Sequence, residues 1–166
     1  MGYGLSFFSV CGDGVEDSRP FYVAGARLRR CWGWGVCVAD CGLLRRLCSG
    51  RRLKMSAVYV FCCGAEVLYV GRTGDLCRRV YREHCAAHIG GSEGVVRFLM
   101  YHLPEICREA GEIEDVVKRE EKAKEILRRK LAAYNIIVVP TDRPEELEEK
   151  LIEALRPRLN PPRGRR

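Results

Sequence analysis

Hydrophobic and polar positions along this chain fall into a regular order from Met55 onward. "AVYVFCC" (57–63) is a continuous apolar, β-prone run, "GAE" is a tight turn, and "VLYVG" (67–71) is a second such run. Two β-prone runs joined by a short glycine-containing turn predict a hairpin. Thr73 or Asp75 then supplies an N-cap for a helix reaching about His88, which "GGS" ends. Residues 93–109 read as one helix and 112–133 as a longer one, with Ile113, Val116, Val117, Ala123, Ile126, Leu127 and Leu131 at apolar positions. "YNIIVVPT" (134–141) predicts a third strand, and "PEELEEKLIEALRP" a closing helix with a proline near its first turn, ending at Pro157. The order β-β-α-α-α-β-α predicts an α/β (α+β) fold, a small, mainly antiparallel three-stranded sheet flanked by helices. No internal repeat is visible.

Residues 1–54 read differently. Gly, Arg, Cys and Trp make up 24 of these 54 positions, and neither strand nor helix periodicity persists. The stretch resembles the translation of a G-rich leader, so the functional protein is expected to start at Met55. Residues 21–48 nonetheless hold enough apolar side chains for a small appendage.

At 166 residues the chain is long enough for one domain with a true core. Its net charge of +7 favours an anionic partner, nucleic acid first. Most of that excess lies early: residues 1–55 carry nine Lys+Arg against four Asp+Glu, leaving 20 against 18 for the remainder. Local clusters therefore have to carry the argument downstream. Ten cysteines is a high count, but a secreted disulfide scaffold is small and loop-rich, whereas residues 90–155 read as long charged helices. The opening "MGYGLSFFSV" lacks a basic n-region, and the apolar stretch at 31–44 is too short to span a bilayer. The expected location is cytoplasmic. Cys62 and Cys63, adjacent on a strand, are expected to face opposite sides. The spacing of His84 and His88 suggests zinc only weakly, since no second ligand pair completes a tetrahedral site.

The chemistry concentrates in "VLYVGRTGDLCRRVYREH" (67–84), a strand followed by an arginine-bearing helix. "AVY" (57–59) and "YVG" (69–71) stand a hairpin apart, Arg79 follows Gly71 by eight residues, and "EEKLIEALRPRLN" places Glu148 on a helix ahead of a proline and Asn160. Together these resemble the GIY-YIG nucleases over about residues 56–162, including the third strand of the family's excision-repair members. Ala57 and Val58 stand where Gly and Ile are usual. Four positions after the arginine, where the family often has His or Tyr, this chain has Glu83, with His84 one residue later. The helices at about 90–133 exceed a minimal member and form an insertion suited to substrate or partner recognition.

The resemblance implies a metal-dependent endonuclease that hydrolyses DNA phosphodiester bonds, with Tyr59, Tyr69, Arg79, Glu148, Arg72, Asn160 and His84 as site residues. Such hydrolysis needs a deprotonated water and neutralised phosphate oxygens, which a divalent metal assists. One carboxylate, Glu148, with several waters suits Mg²⁺ or Mn²⁺. Arg79 offers phosphate a planar fork that lysine cannot copy. A tyrosine acting as base needs a neighbouring cation, and Arg72 directly follows "YVG". Gly71 is expected to permit a sharp turn after the strand, and Asn160 to orient neighbouring groups. Arg72, Arg78, Arg82, Arg156 and Arg158, with the basic tail to Arg166, are expected to hold backbone phosphates of DNA, or of RNA. The alternative is a nucleic-acid-binding module of the same fold with little or no catalysis. Taken singly, each residue has a plainer reading: strand tyrosines pack, helix arginines meet solvent, and Glu148 is one charge in an acidic run. No membrane partner is expected, and the oligomeric state stays open.

Overall fold

The apolar run at 57–63 is buried on both faces from Ala57 to Cys62 because it becomes an interior strand of the sheet. The computed structural model describes residues 22–23, 26–27, 37–49 and 54–161. In chain order it has β1 (Tyr22–Val23), β2 (Ala26–Arg27), β3 (Cys37–Ala39), α1 (Cys41–Cys48), β4 (Ala57–Cys63) and β5 (Glu66–Thr73). A π-helix (Cys77–Cys85), α2 (Glu93–Tyr101), α3 (Leu103–Ala110), α4 (Val116–Ala132), β6 (Asn135–Pro140) and α5 (Pro144–Leu155) follow. β1 and β2 form a separate two-stranded ribbon, and the main sheet runs β3-β6-β4-β5 with every pairing antiparallel.

The sheet thus has four strands, where the apolar pattern predicted three. The extra strand, β3, pairs Cys37 with Val138 and Ala39 with Ile136, so its partner lies in the last third of the chain. Three residues are too few to show a period, which is why the strand is not legible locally. α1 follows at once, its first turn capped by Asp40, whose Oδ1 accepts from the Leu43 amide at 2.6 Å. Leu43, Leu44 and Leu47 of α1 are buried with the core residues of the sheet. Residues 37–49 are therefore part of the fold rather than an unpatterned leader. The rest of residues 1–53 apart from the short ribbon, and the basic tail from 162 onward, lie outside the described residues.

The two faces of the sheet are covered unequally. Ala57, Tyr59, Phe61, Ile136 and Val138 pack with Val80, Phe98, Leu127 and Leu131 from the helices. Val58, Val60, Cys62, Val70 and Ile137 form the opposite face against Leu151 of α5. Cys62 is buried and Cys63 exposed, as adjacent strand residues should be. The β4–β5 turn uses Gly64 at φ +57°, which a side chain would strain. Phe61 faces Tyr69 and Cys62 faces Val67, so Leu68 is an extra residue in β5, a β-bulge.

The helices also depart from their expected limits. The stretch 93–109 is divided at His102, because Pro104 starts a new helix, α3, within its first turn. His102 is held there by a 2.6 Å hydrogen bond between its Nε2 and the Tyr134 hydroxyl. Val116 and Val117, counted in the apolar stripe of α4, are exposed at its first turn. Two disulfides, Cys41–Cys85 and Cys48–Cys77, join α1 to the π-helix. Among the described residues no helix is long and apolar enough to cross a membrane.

Candidate active site

β4 and β5 place Tyr59 opposite Gly71, and the glycine is there for space rather than for a turn. β5 continues through it to Thr73, which corrects the expectation of a sharp bend at this point. A Cβ on Gly71 would lie 2.5 Å from Tyr59 Oη and 2.9 Å from Tyr69 Cε1. Two tyrosines on paired strands can therefore approach each other over a residue with no side chain. Their ring centroids are 6.2 Å apart.

Thr73 and Asp75 both act at the entry to the next helix. Thr73 Oγ1 accepts from the Asp75 amide and Asp75 Oδ1 from the Arg78 amide, each at 2.9 Å. The helix that follows closes i→i+5 hydrogen bonds, such as Ala86 N to Tyr81 O at 3.0 Å and His88 N to Glu83 O at 2.9 Å. In this wider winding Glu83 and His84 take different places. Glu83 pairs with Arg79, Oε2 to Nη1 at 2.6 Å, while His84 turns under the sheet and places Nε2 2.9 Å from Tyr59 Oη. An aromatic box of Tyr59, Phe61, Tyr69 and Phe98 surrounds the imidazole, with centroids 5.4–6.2 Å away. Gly94 of α2 closes it; a Cβ there would meet His84 Cε1 at 2.5 Å and Tyr69 Oη at 2.9 Å.

Burial sets the protonation of this pair. His84 is fully buried, and desolvation, aided by the Arg79 charge, lowers its pKa to about 3, so its imidazole is neutral at neutral pH. Burial also raises Tyr59 well above the ordinary phenol value; Tyr69, Glu148 and Glu83 add to this and Arg79 opposes it. Tyr69 is raised by burial, with Arg97 and then Arg79 opposing and Glu148 and Glu93 reinforcing. The cations that act on the tyrosines are thus Arg79 and Arg97. Arg72, expected in that role, instead pairs with Glu145 at 2.8 Å and Glu148 at 3.4 Å.

Glu148 is set apart from the acidic run around it by burial. Its side chain is 19% exposed, against 74% for Glu145 and 49% for Glu146. Carried by α5, it bears on both tyrosines electrostatically. Asn160 binds the outer edge of β5 at Val70, accepting from its N–H and donating to its C=O, both at 2.8 Å. Those bonds fix the backbone between Tyr69 and Gly71. Arg97 of α2 supports the same segment by donating to Leu159 O at 2.7 Å, and it also pairs with Glu93. Arg97 and Gly94 were not legible as site residues, since nothing in "EGVVRFLMY" separates them from an ordinary helix.

The structure thus gathers Tyr59, Tyr69, Arg79, His84 and Glu148, with Arg72 and Asn160 supporting. It leaves the remaining arginines outside. Arg78 and Arg82 point outward from the π-helix. Arg156 caps α5 in a left-handed conformation at φ +46°. Arg158 pairs with Glu66 at 3.2 Å and lies over the Tyr101 ring at 5.0 Å.

No group of three or more His, Cys, Asp or Glu able to hold a metal ion occurs among the described residues. A hard cation that keeps most of its waters needs only one or two carboxylates. The half-buried Glu148 fits that requirement. Cys85 is in a disulfide, and His84 meets Tyr59 through Nε2. In comparisons with models of protein families, with curated proteins and with solved structures, the chain matches none.

Proposed function

We infer that the protein is a metal-dependent endonuclease of the GIY-YIG type, hydrolysing phosphodiester bonds in DNA. The observation that carries the reading is the 2.9 Å contact of Tyr59 Oη with a neutral, buried His84, set beside Arg79 and Glu148. Nη1 is the one Arg79 nitrogen with a partner among the described residues, so the rest of the fork is available to phosphate oxygens. Phosphate bound there offsets the charge that helps hold His84 neutral. Tyr59 then takes a proton from the attacking water while its own hydroxyl proton passes to His84 Nε2. Tyr69 and the Val70 backbone, held by Asn160, orient the substrate from β5. Mg²⁺ or Mn²⁺, held by Glu148 when bound, supplies further charge neutralisation at the phosphate.

The second reading, a nucleic-acid-binding module without efficient catalysis, is favoured by the same pair in its resting state. Burial holds Tyr59 protonated and His84 a weak acceptor. Nicking of supercoiled plasmid by the full chain with Mg²⁺ or Mn²⁺ separates the two. The nuclease predicts nicking that Glu148→Ala and Arg79→Ala abolish while DNA binding persists. Binding with no nicking in any chain leaves the module.

A further inference from the structure

A nuclease needs a path for the DNA backbone outside its cleft, and this inference rests on the nuclease reading above. An unassigned positive surface lies next to the site, on α1 and the π-helix. These helices run antiparallel and are fastened at both ends. Cys41, first in α1, bonds Cys85, last in the π-helix, and Cys48, last in α1, bonds Cys77, first in the π-helix. The Cα–Cα distance is 5.5 Å at each bond, so the two helices lie in direct contact. Their inner faces bury Leu43, Leu44, Leu47 and Val80.

Their outer faces carry Arg45, Arg46, Arg78 and Arg82, all exposed. Glu83 is the one acid within these two helices; it is buried and pairs with Arg79 at 2.6 Å and, more loosely, with Arg78 at 3.8 Å. Asp40 and Asp75, just ahead of each helix, accept backbone N–H groups there. Arg128 of α4, also exposed, extends the surface by donating to Ala86 O at 3.1 Å, directly beyond the π-helix. One helix therefore presents Arg79 and His84 inward and Arg78 and Arg82 outward, and α1 continues the charged surface away from the cleft.

We propose that the outer surface of α1 and the π-helix is the docking surface for phosphates of a DNA duplex whose scissile strand enters the candidate site. Four forked guanidinia, with Asp40 the one exposed acid at the border of the two helices, complement a phosphate backbone, and such contacts act by releasing counterions. The segment read from sequence as a dispensable leader is then part of the substrate-binding surface.

The test uses the full chain with its disulfides intact and a short fluorescent DNA duplex, titrated over a series of KCl concentrations. R45A/R46A is compared with the unaltered chain and with K118A/K122A, which removes two positive charges from α4 instead. Loss of two phosphate contacts lowers the magnitude of the log Kd against log salt slope by about 1.8 and weakens binding about tenfold at low salt. R45K/R46K retains most of the slope, and K118A/K122A leaves it unchanged. A slope in R45A/R46A equal to that of the unaltered chain overturns this proposal and leaves the nuclease reading standing. Equal losses in R45A/R46A and K118A/K122A also overturn it, showing bulk charge rather than a surface. Absence of salt-dependent binding by the unaltered chain overturns both readings.

Discussion

Tyr59 and His84 are each held in the uncharged form by burial, and that makes them sensitive reporters of the site. In Tyr59→Phe the ring stays and the hydroxyl goes, leaving His84 Nε2 buried without its partner. The expected cost is about 1–3 kcal/mol in urea unfolding, with nicking lowered by about a hundredfold or more. Equal nicking by Tyr59→Phe and the unaltered chain would remove the tyrosine from the chemistry. His84 also links stability to pH. Its folded pKa of about 3 lies below the ordinary 6.5, so between those values the unfolded chain binds a proton that the folded one refuses. Stability is complete above 6.5 and falls as the pH drops toward 3, by about 2 kcal/mol at pH 5. His102, also lowered by burial, acts in the same direction, so His84→Gln is the control that isolates His84. Melting temperatures at pH 8 and pH 5 should separate more in the unaltered chain than in His84→Gln.

Among the elements, the β4–β5 hairpin follows from sequence, but the chemistry depends on two glycines and one unusual helix. Gly71 and Gly94 hold the aromatic box at distances a Cβ would violate. Gly71→Ala and Gly94→Ala should each cost about 1–3 kcal/mol, as overpacking does, and reduce cleavage beyond what the lost folded fraction explains. Urea midpoints beside nicking rates on fully folded samples decide this, and unchanged rates would mean that the box is only structural. The π-helix was not legible, because apolar periodicity in nine residues cannot separate i→i+4 from i→i+5 bonding. His84 is nonetheless on the inner face because of that winding.

At the scale of the molecule, the N-terminal elements and the helices of the later segment share one core. Without residues 1–54, the chain loses Leu43, Leu44 and Leu47 from the core and the β3 partner of β6. Burying each leucine is worth about 1.5–3 kcal/mol, so the total loss is comparable with a typical domain's whole stability. Residues 55–166 alone should therefore melt broadly or aggregate, and a cooperative melt like that of the full chain would restore the reading of a start at Met55. The disulfides close loops over separations of 44 and 29 residues. Each is worth about 3–4 kcal/mol taken alone, so dithiothreitol should lower the melting temperature by about ten degrees or more. An unchanged melt on reduction would show that the bonds do not form in solution. Such bonds are uncommon in a reducing cytosol and bear directly on the cytoplasmic expectation.

The sequence by itself determined the hairpin, the later strand, the helices around them and the residue types available for phosphate chemistry. Those features depend on neighbours a few positions apart, through apolar period, turn glycines and helix caps. Tertiary structure alone decided the fourth strand, the disulfide pairing and the inward turn of His84. It also decided that Arg79 and Arg97 are the cations acting on the tyrosines, whereas the alternation of β5 already turns Arg72, three positions after Tyr69, to the opposite face, where it pairs with Glu145 and Glu148. Each of these arises from contacts between segments far apart in the chain, and their free energy comes from burial and pairing that no local pattern records.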